Sequence, residues 1–215
     1  MTDRPILFSG PMVRAILAGT KAQTRRVMKP QPRVRPEFDE ETSSWVQFDG
    51  DRIACSVRVL YASGDRLWVR ETWADDEQFG GIIYRADHKG DDPIGNGWRS
   101  SIHMPRIASR LTLTVTDVRV QRLQDISPDD VRAEGVEIPW HHIGDLHDPH
   151  RWKHDHFRPL WDSINGKKPV RTWADNPWVV AVSFRPELRN IDSPDHQSRS
   201  ESNKVKPGMV SGHRS

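Results

Sequence analysis

Cysteine is almost absent from this chain. Cys55 stands alone, so no internal disulfide can form and no cysteine framework for zinc exists. A secreted disulfide scaffold and a zinc finger are both excluded. Long apolar runs are missing too: no stretch reaches the roughly 18–20 residues a membrane-crossing helix requires, so no membrane partner is expected. The opening Met1-Thr2-Asp3-Arg4-Pro5 lacks a basic segment followed by an apolar one, so no secretory signal is visible and the expected location is the cytoplasm. No internal repeat is present. Lysine is scarce beside arginine, 8 against 24, although the net charge is only +2. An arginine bias suits phosphate and base recognition, and equally suits a salt-bridged surface.

With 215 residues, 35% apolar and 29% charged, the chain is expected to form one soluble domain with polar loops. Pro5 to Phe8 reads as a short strand. Ser9 then caps a helix whose Met12, Val13, Ile16 and Leu17 share one face, and Gly19 ends it. Residues 30–41 are rich in Pro, Arg and acids and read as an exposed connection. Trp45–Phe48 and Ile53–Leu60 flank Asp49-Gly50-Asp51 as a hairpin. Cys55, in its second strand, reads as a buried structural thiol. Gly64-Asp65 turns into a strand through Arg66–Trp73, and Ile82–Tyr84 is a short strand inside Gly- and Asp-rich loops.

Leu111 to Val120 is the clearest strand, alternating apolar and polar residues with Leu111, Leu113 and Val115 on one face. Ser127-Pro128 starts a helix that Gly135 stops. A further helix is expected over Pro149–Ile164, kinked or shortened by Pro159, and Trp178–Phe184 is a last core strand. Trp152, Trp161 and Trp178 read as core. The expected organisation is one domain over 1–188, with loop insertions near 30–44 and 75–105, followed by a disordered polar tail over 189–215. Short strands with a few helices make the fold class α+β, built on a small mixed or antiparallel barrel.

The segment Gly19-Thr20-Lys21-Ala22-Gln23-Thr24-Arg25-Arg26 resembles the ASCH family, whose mark is Gly-x-Lys-x-x-Thr-x-Arg after the first helix. Gly64-Asp65-Arg66-Leu67-Trp68-Val69-Arg70-Glu71 resembles that family's Gly-Asp turn into a barrel strand, and Ala133-Glu134-Gly135 its acidic helix end. Together these motifs order the chain from about residue 4 to residue 186. The resemblance implies a PUA-like β-barrel with a few flanking helices and a cleft facing a nucleoside, RNA or DNA. Ile102-His103-Met104-Pro105-Arg106 and Leu160-Trp161-Asp162-Ser163-Ile164-Asn165 resemble uncharacterised ASCH proteins of phages and prophages, which would place the protein in a bacterial host cytoplasm.

ASCH functions are heterogeneous. Some small members hydrolyse the acetyl group of N4-acetylcytidine with a Lys, a Thr and a Glu, and others are ribonucleases. The resemblance therefore makes Lys21, Thr24 and Glu134 the catalytic candidates. A neutral amine near a hydroxyl can activate it, and a carboxylate can orient the amine or protonate a leaving group. Glu71 is the rival acid. Arg25, Arg26, Glu71, Trp73 and His103 are the substrate-binding candidates, with Trp73 or Trp68 as a stacking surface. The histidines at 141, 142, 147, 150, 154 and 156 lack a His-Glu pattern, so no metal or other cofactor is expected. Amide hydrolysis, non-catalytic RNA or modified-nucleic-acid binding, and ribonuclease action all stay open at this level.

Overall fold

The computed structural model describes residues 1–50, 52–76, 80–88, 97–136, 151–166 and 169–194. Its fold is α+β, dominated by sheet. The largest sheet contains β1 (Asp3–Leu7), β2 (Gln23–Val27), β6 (Arg66–Arg70), β9 (Thr112–Arg122) and β10 (Trp178–Glu187). They lie in the order β1-β6-β9-β10-β2, with β1 and β6 parallel and the other neighbours antiparallel. β1 and β2 are both edges among the described strands, so the expected closed barrel is replaced by an open sheet.

Helix α1 (Gly10–Leu17) connects those two edges along the chain. The backbone N–H groups of Thr20 and Lys21 both donate to Ala15 O, tying the start of β2 to the helix end. Arg26 spans the seam instead of a backbone ladder: its Nη2 donates to Leu7 O at 2.8 Å and its guanidinium lies over the Phe8 ring.

Alternation accounts for the core. Leu67 and Val69 on β6, Leu113 and Val115 on β9, and Val180 and Val182 on β10 are all buried in one cluster with Val13 and Ile16 of α1. Burial stabilises each such side chain by about 1.5–3 kcal/mol. A second cluster lies by β10, where Val179 meets Leu123, Ile126, Val131, Phe157, Trp161 and Trp173. It seats two helices, α2 (Pro128–Ala133) and α3 (Arg158–Asn165). Pro159 stands in the first turn of α3, and Trp152–Phe157 before it is wound as a π-helix, with Arg158 N–H reaching Lys153 O. A proline has no N–H for the regular bond back into the preceding turn, and the wider winding places the break there.

The arm formed by β3 (Glu37–Asp39), β4 (Ser44–Asp49) and β5 (Arg52–Val57) is a separate three-stranded sheet. The hairpin follows expectation, and β3 falls inside the segment read as a plain connection. Cys55 is exposed, a correction: every β5 residue before Val57 is exposed, because no second layer among the described residues covers that strand. β7 (Trp73–Asp75) and β8 (Ile82–Tyr84) pair as a small ribbon, so the strand expected through Trp73 breaks after Arg70.

The expected tail also needs correction. Ile191 is buried, Asn190 Nδ2 donates to the carbonyls of Arg106, Ile107 and Ser109, and Arg66 Nη1 donates to Ile191 O. The domain therefore extends through this segment; residues 195–215 lie outside the described residues. No helix among the described residues is long and apolar enough to cross a membrane.

Candidate functional site

Edge strand β2 is polar yet buried. Gln23, Thr24 and Arg25 are each less than 5% exposed, as is Lys21 just before the strand. Such burial requires partners, and α2 supplies them. Ala22 N–H donates to Ala133 O, and Lys21 forms an isolated antiparallel bridge with Glu134, so the end of α2 is stitched to the start of β2. Gly135 makes that approach possible. Its φ is +80°, and a Cβ there would lie 2.9 Å from Lys21 Cβ and 3.1 Å from Ala15 Cβ.

Across this junction Lys21 Nζ donates to Glu134 Oε2 at 2.7 Å and to Glu134 O at 2.8 Å. Arg25 Nη1 donates to the other carboxylate oxygen, Glu134 Oε1, at 3.0 Å and to Gln23 Oε1 at 2.6 Å. Its Nη2 donates to Asp130 Oδ2 at 2.8 Å. Asp130 Oδ1 accepts from Gln23 Nε2 at 3.0 Å and from Arg119 Nη2 at 2.8 Å. Asp130 also closes the capping box of α2 with Ser127, so one carboxylate starts the helix and anchors the site.

Burial drives the Lys21 ammonium below its ordinary value of 10.5, against the pull of Glu134 and with help from Arg26 and Arg25. Burial alone would raise Asp130; the Arg119 hydrogen bond, the Arg25 charge and Gln23 outweigh it and hold the carboxyl at about 2.

These groups open onto a cleft of about 370 Å³ between α1 and α3. Met12 and Ala15 form one wall and Phe157, Leu160, Trp161 and Ile164 the other, while Lys21, Thr24, Arg25, Arg26 and Glu134 are also in its lining. The structure thus brings together Lys21, Thr24, Glu134, Arg25 and Arg26. Among the described residues the Thr24 hydroxyl takes no part in the site's hydrogen bonds.

Glu71, Trp73 and His103 do not line this cleft, which corrects the expectation of one shared pocket. Glu71 is buried against Arg110, which donates from Nε and Nη2 to its two oxygens at 2.9 and 3.1 Å. Arg110 also pairs with Asp87 and lies 3.9 Å from the Tyr84 ring centroid. Burial raises the Glu71 carboxyl despite Arg110. This group straps the β7–β8 ribbon to the main sheet. Trp73 packs with Met104 and Ala108 under the same ribbon, and Arg99 covers its ring. His103 is exposed on a short 3-10 turn. Trp161 and Trp178 are buried as expected; the Trp152 side chain and the histidines at 141, 142, 147 and 150 lie outside the described residues.

Sequence reasoning missed Gln23, Asp130 and Arg171, the last of which also lines the cleft. The Ser127-x-x-Asp130 capping pattern signalled a helix start but not Asp130's second role. Gln23-x-Arg25 is a strand alternation hidden by the absence of apolar residues.

No family model matches the chain, and no curated protein matches it. Among solved structures it is similar to a crystal structure of protein EF3133 from Enterococcus faecalis V583, of family DUF984. The TM-score is 0.41 at 10% identity, over 91% of this chain and 86% of that one. That likeness says nothing of function.

Proposed function

We propose that the cleft is the active site of an ASCH-type amidohydrolase acting on an acylated pyrimidine nucleoside such as N4-acetylcytidine. The carrying observation is that Lys21 and Thr24 line one cleft with Glu134, which lies 113 residues beyond Lys21 in the sequence, and that the buried Lys21 amine is 2.7 Å from Glu134. A PUA-like relation is part of this reading, supported by the mixed sheet whose two edges are joined through Arg26.

Thr24 Oγ attacks the acyl carbon as its proton passes to the Lys21 amine. Glu134 takes the amine's proton beforehand and returns one as the C–N bond breaks, so the leaving amine departs neutral. Water then hydrolyses the threonine ester, releasing the acid and restoring the hydroxyl. Arg25 keeps Glu134 in register throughout, because its charge satisfies Oε1 whichever way the Lys21 proton lies. The apolar walls hold the flat base and exclude water.

A second reading is a non-catalytic binding module. It is favoured by the two hydrogen bonds Lys21 donates to Glu134, an arrangement suited to a charged ammonium acting as a fixed clamp. Turnover of N4-acetylcytidine separates the two. The hydrolase reading expects acetate release by the wild type, rising with pH, and none from Lys21→Ala, Lys21→Arg or Thr24→Val. Thr24→Ser should retain part of the activity. If Lys21→Arg keeps most of the turnover, or most of the affinity where no turnover exists, the clamp replaces the base.

A further inference from the structure

The cleft carries more positive charge than its own acids neutralise. Lys21, Arg25, Arg26 and Arg171 are in its lining, and Glu134 is the one carboxylate among the described lining residues. Lys21 and Arg25 are balanced by Glu134 together with Asp130 behind the strand, and Asp130 is itself shared with Arg119. Arg26 and Arg171 have no acidic partner among the described residues. Arg26 is held by the Leu7 carbonyl and the Phe8 ring. The Arg171 side chain makes no hydrogen bond or ion pair among the described residues, while its backbone carbonyl is fixed by the Trp161 indole N–H at 2.7 Å.

A guanidinium whose backbone is anchored and whose head has no partner, beside an apolar wall, suits a ligand with a flat body and an anionic end. We infer that the cleft takes a nucleotide in preference to the neutral nucleoside, with Arg171 seating a phosphate monoester while the base lies along the Trp161 wall. This rests on the nucleoside reading above for the identity of the flat part; the charge argument stands on Arg26 and Arg171 alone. A phosphate answers the excess charge without disturbing Glu134, whereas a carboxylate-poor, neutral nucleoside leaves Arg171 without an anion inside a half-buried site.

Calorimetric titration with cytidine 5′-monophosphate, cytidine and inorganic phosphate tests this on the full chain. The nucleotide should bind the wild type at least about tenfold more tightly than cytidine, the scale of one charge-assisted hydrogen-bonded pair. In Arg171→Gln the two should bind within about threefold of each other. Inorganic phosphate should compete with the nucleotide in the wild type and lose its binding in Arg171→Gln. Arg171→Lys, which keeps the charge but not the fork, should fall between and serves as the second variant if Arg171→Gln unfolds. Equal affinity for nucleotide and nucleoside, a nucleotide advantage that survives in Arg171→Gln, or no nucleotide binding would each overturn the inference. An Arg171-dependent advantage together with no acetate release from N4-acetylcytidine or its 5′-monophosphate would sink the hydrolase reading and leave the phosphate seat standing.

Discussion

Lys21 and Glu134 meet twice, once through their backbones and once through their side chains. The bridge between β2 and the end of α2 fixes the distance, and the Nζ–Oε2 contact at 2.7 Å fills it. Their side chains are 1% and 8% exposed, so neither charge has water to fall back on. The geometry of the cleft and the stability of the fold are therefore tied to one contact.

Removing one member of this pair leaves the others buried and unbalanced. Glu134→Gln should lower unfolding free energy by about 3–5 kcal/mol in urea titrations, the usual cost of breaking a buried ion pair. The double change Glu134→Gln with Lys21→Met should recover a large part of that loss. A double variant no more stable than Glu134→Gln would show that the pair is not the source of the effect.

Asp130 should give the protein an acid-sensitive limb. Its folded pKa of about 2 lies below the ordinary 3.8, so its contribution is fully present above pH 4 and is lost as pH falls through about 2. The contribution is about 1–2 kcal/mol, allowing for screening through half-exposed Arg119. Unfolding curves at pH 5, 4, 3 and 2 should show the wild type losing its advantage over Asp130→Asn across that range. A constant difference between the two proteins would refute it.

Lys21 acts in the opposite sense. Because its folded pKa is lowered, the unfolded chain holds more protons between that value and 10.5, and the penalty of burying the ammonium is relieved as pH rises. Relative to Lys21→Met, the wild type should therefore gain stability on moving from neutral to alkaline pH. NMR titration of the Lys21 Nζ should show an amine that deprotonates earlier than the exposed lysines.

Gly135→Ala tests the close approach directly. The positive φ and the contacts at 2.9 and 3.1 Å leave no space for a methyl group, so a loss of at least about 1–2 kcal/mol is expected. On the hydrolase reading, the displaced Lys21 should also lower acetate release. Wild-type stability in Gly135→Ala would mean that the two segments part easily.

A chain ending at Leu188 should be clearly less stable than the full chain, because it lacks Asn190 and Ile191. Ile191→Ala alone should cost about 2–4 kcal/mol as a buried aliphatic truncation. Equal melting temperatures for the shortened and full chains would show that this docking contributes nothing.

Much of the scaffold was legible in the residues themselves. Alternation in Leu111–Val120 and Trp178–Phe184, the Ser127 cap with Pro128, and Gly19 and Gly135 as helix ends are local signals whose causes are steric or periodic. Lys21, Thr24 and Glu134 were grouped only through a family resemblance, and the structure places them on one cleft; no local rule joins residues 21 and 134. Other features could not be read at that level. β2 escaped because its buried face is made of Gln23 and Arg25, which only the carboxylates of Asp130 and Glu134 make tolerable in an interior. Glu71 stood as the rival to Glu134, because motif order along the chain favours Glu134 but says nothing of which carboxylate reaches the cleft. Only the tertiary structure, by giving one to Arg110 and the other to Lys21 and Arg25, decided which faces the cleft. Ile191 looked like part of a polar tail, since one aliphatic residue has no periodicity. The carbonyls around Arg106 that receive Asn190 give it a place in the core.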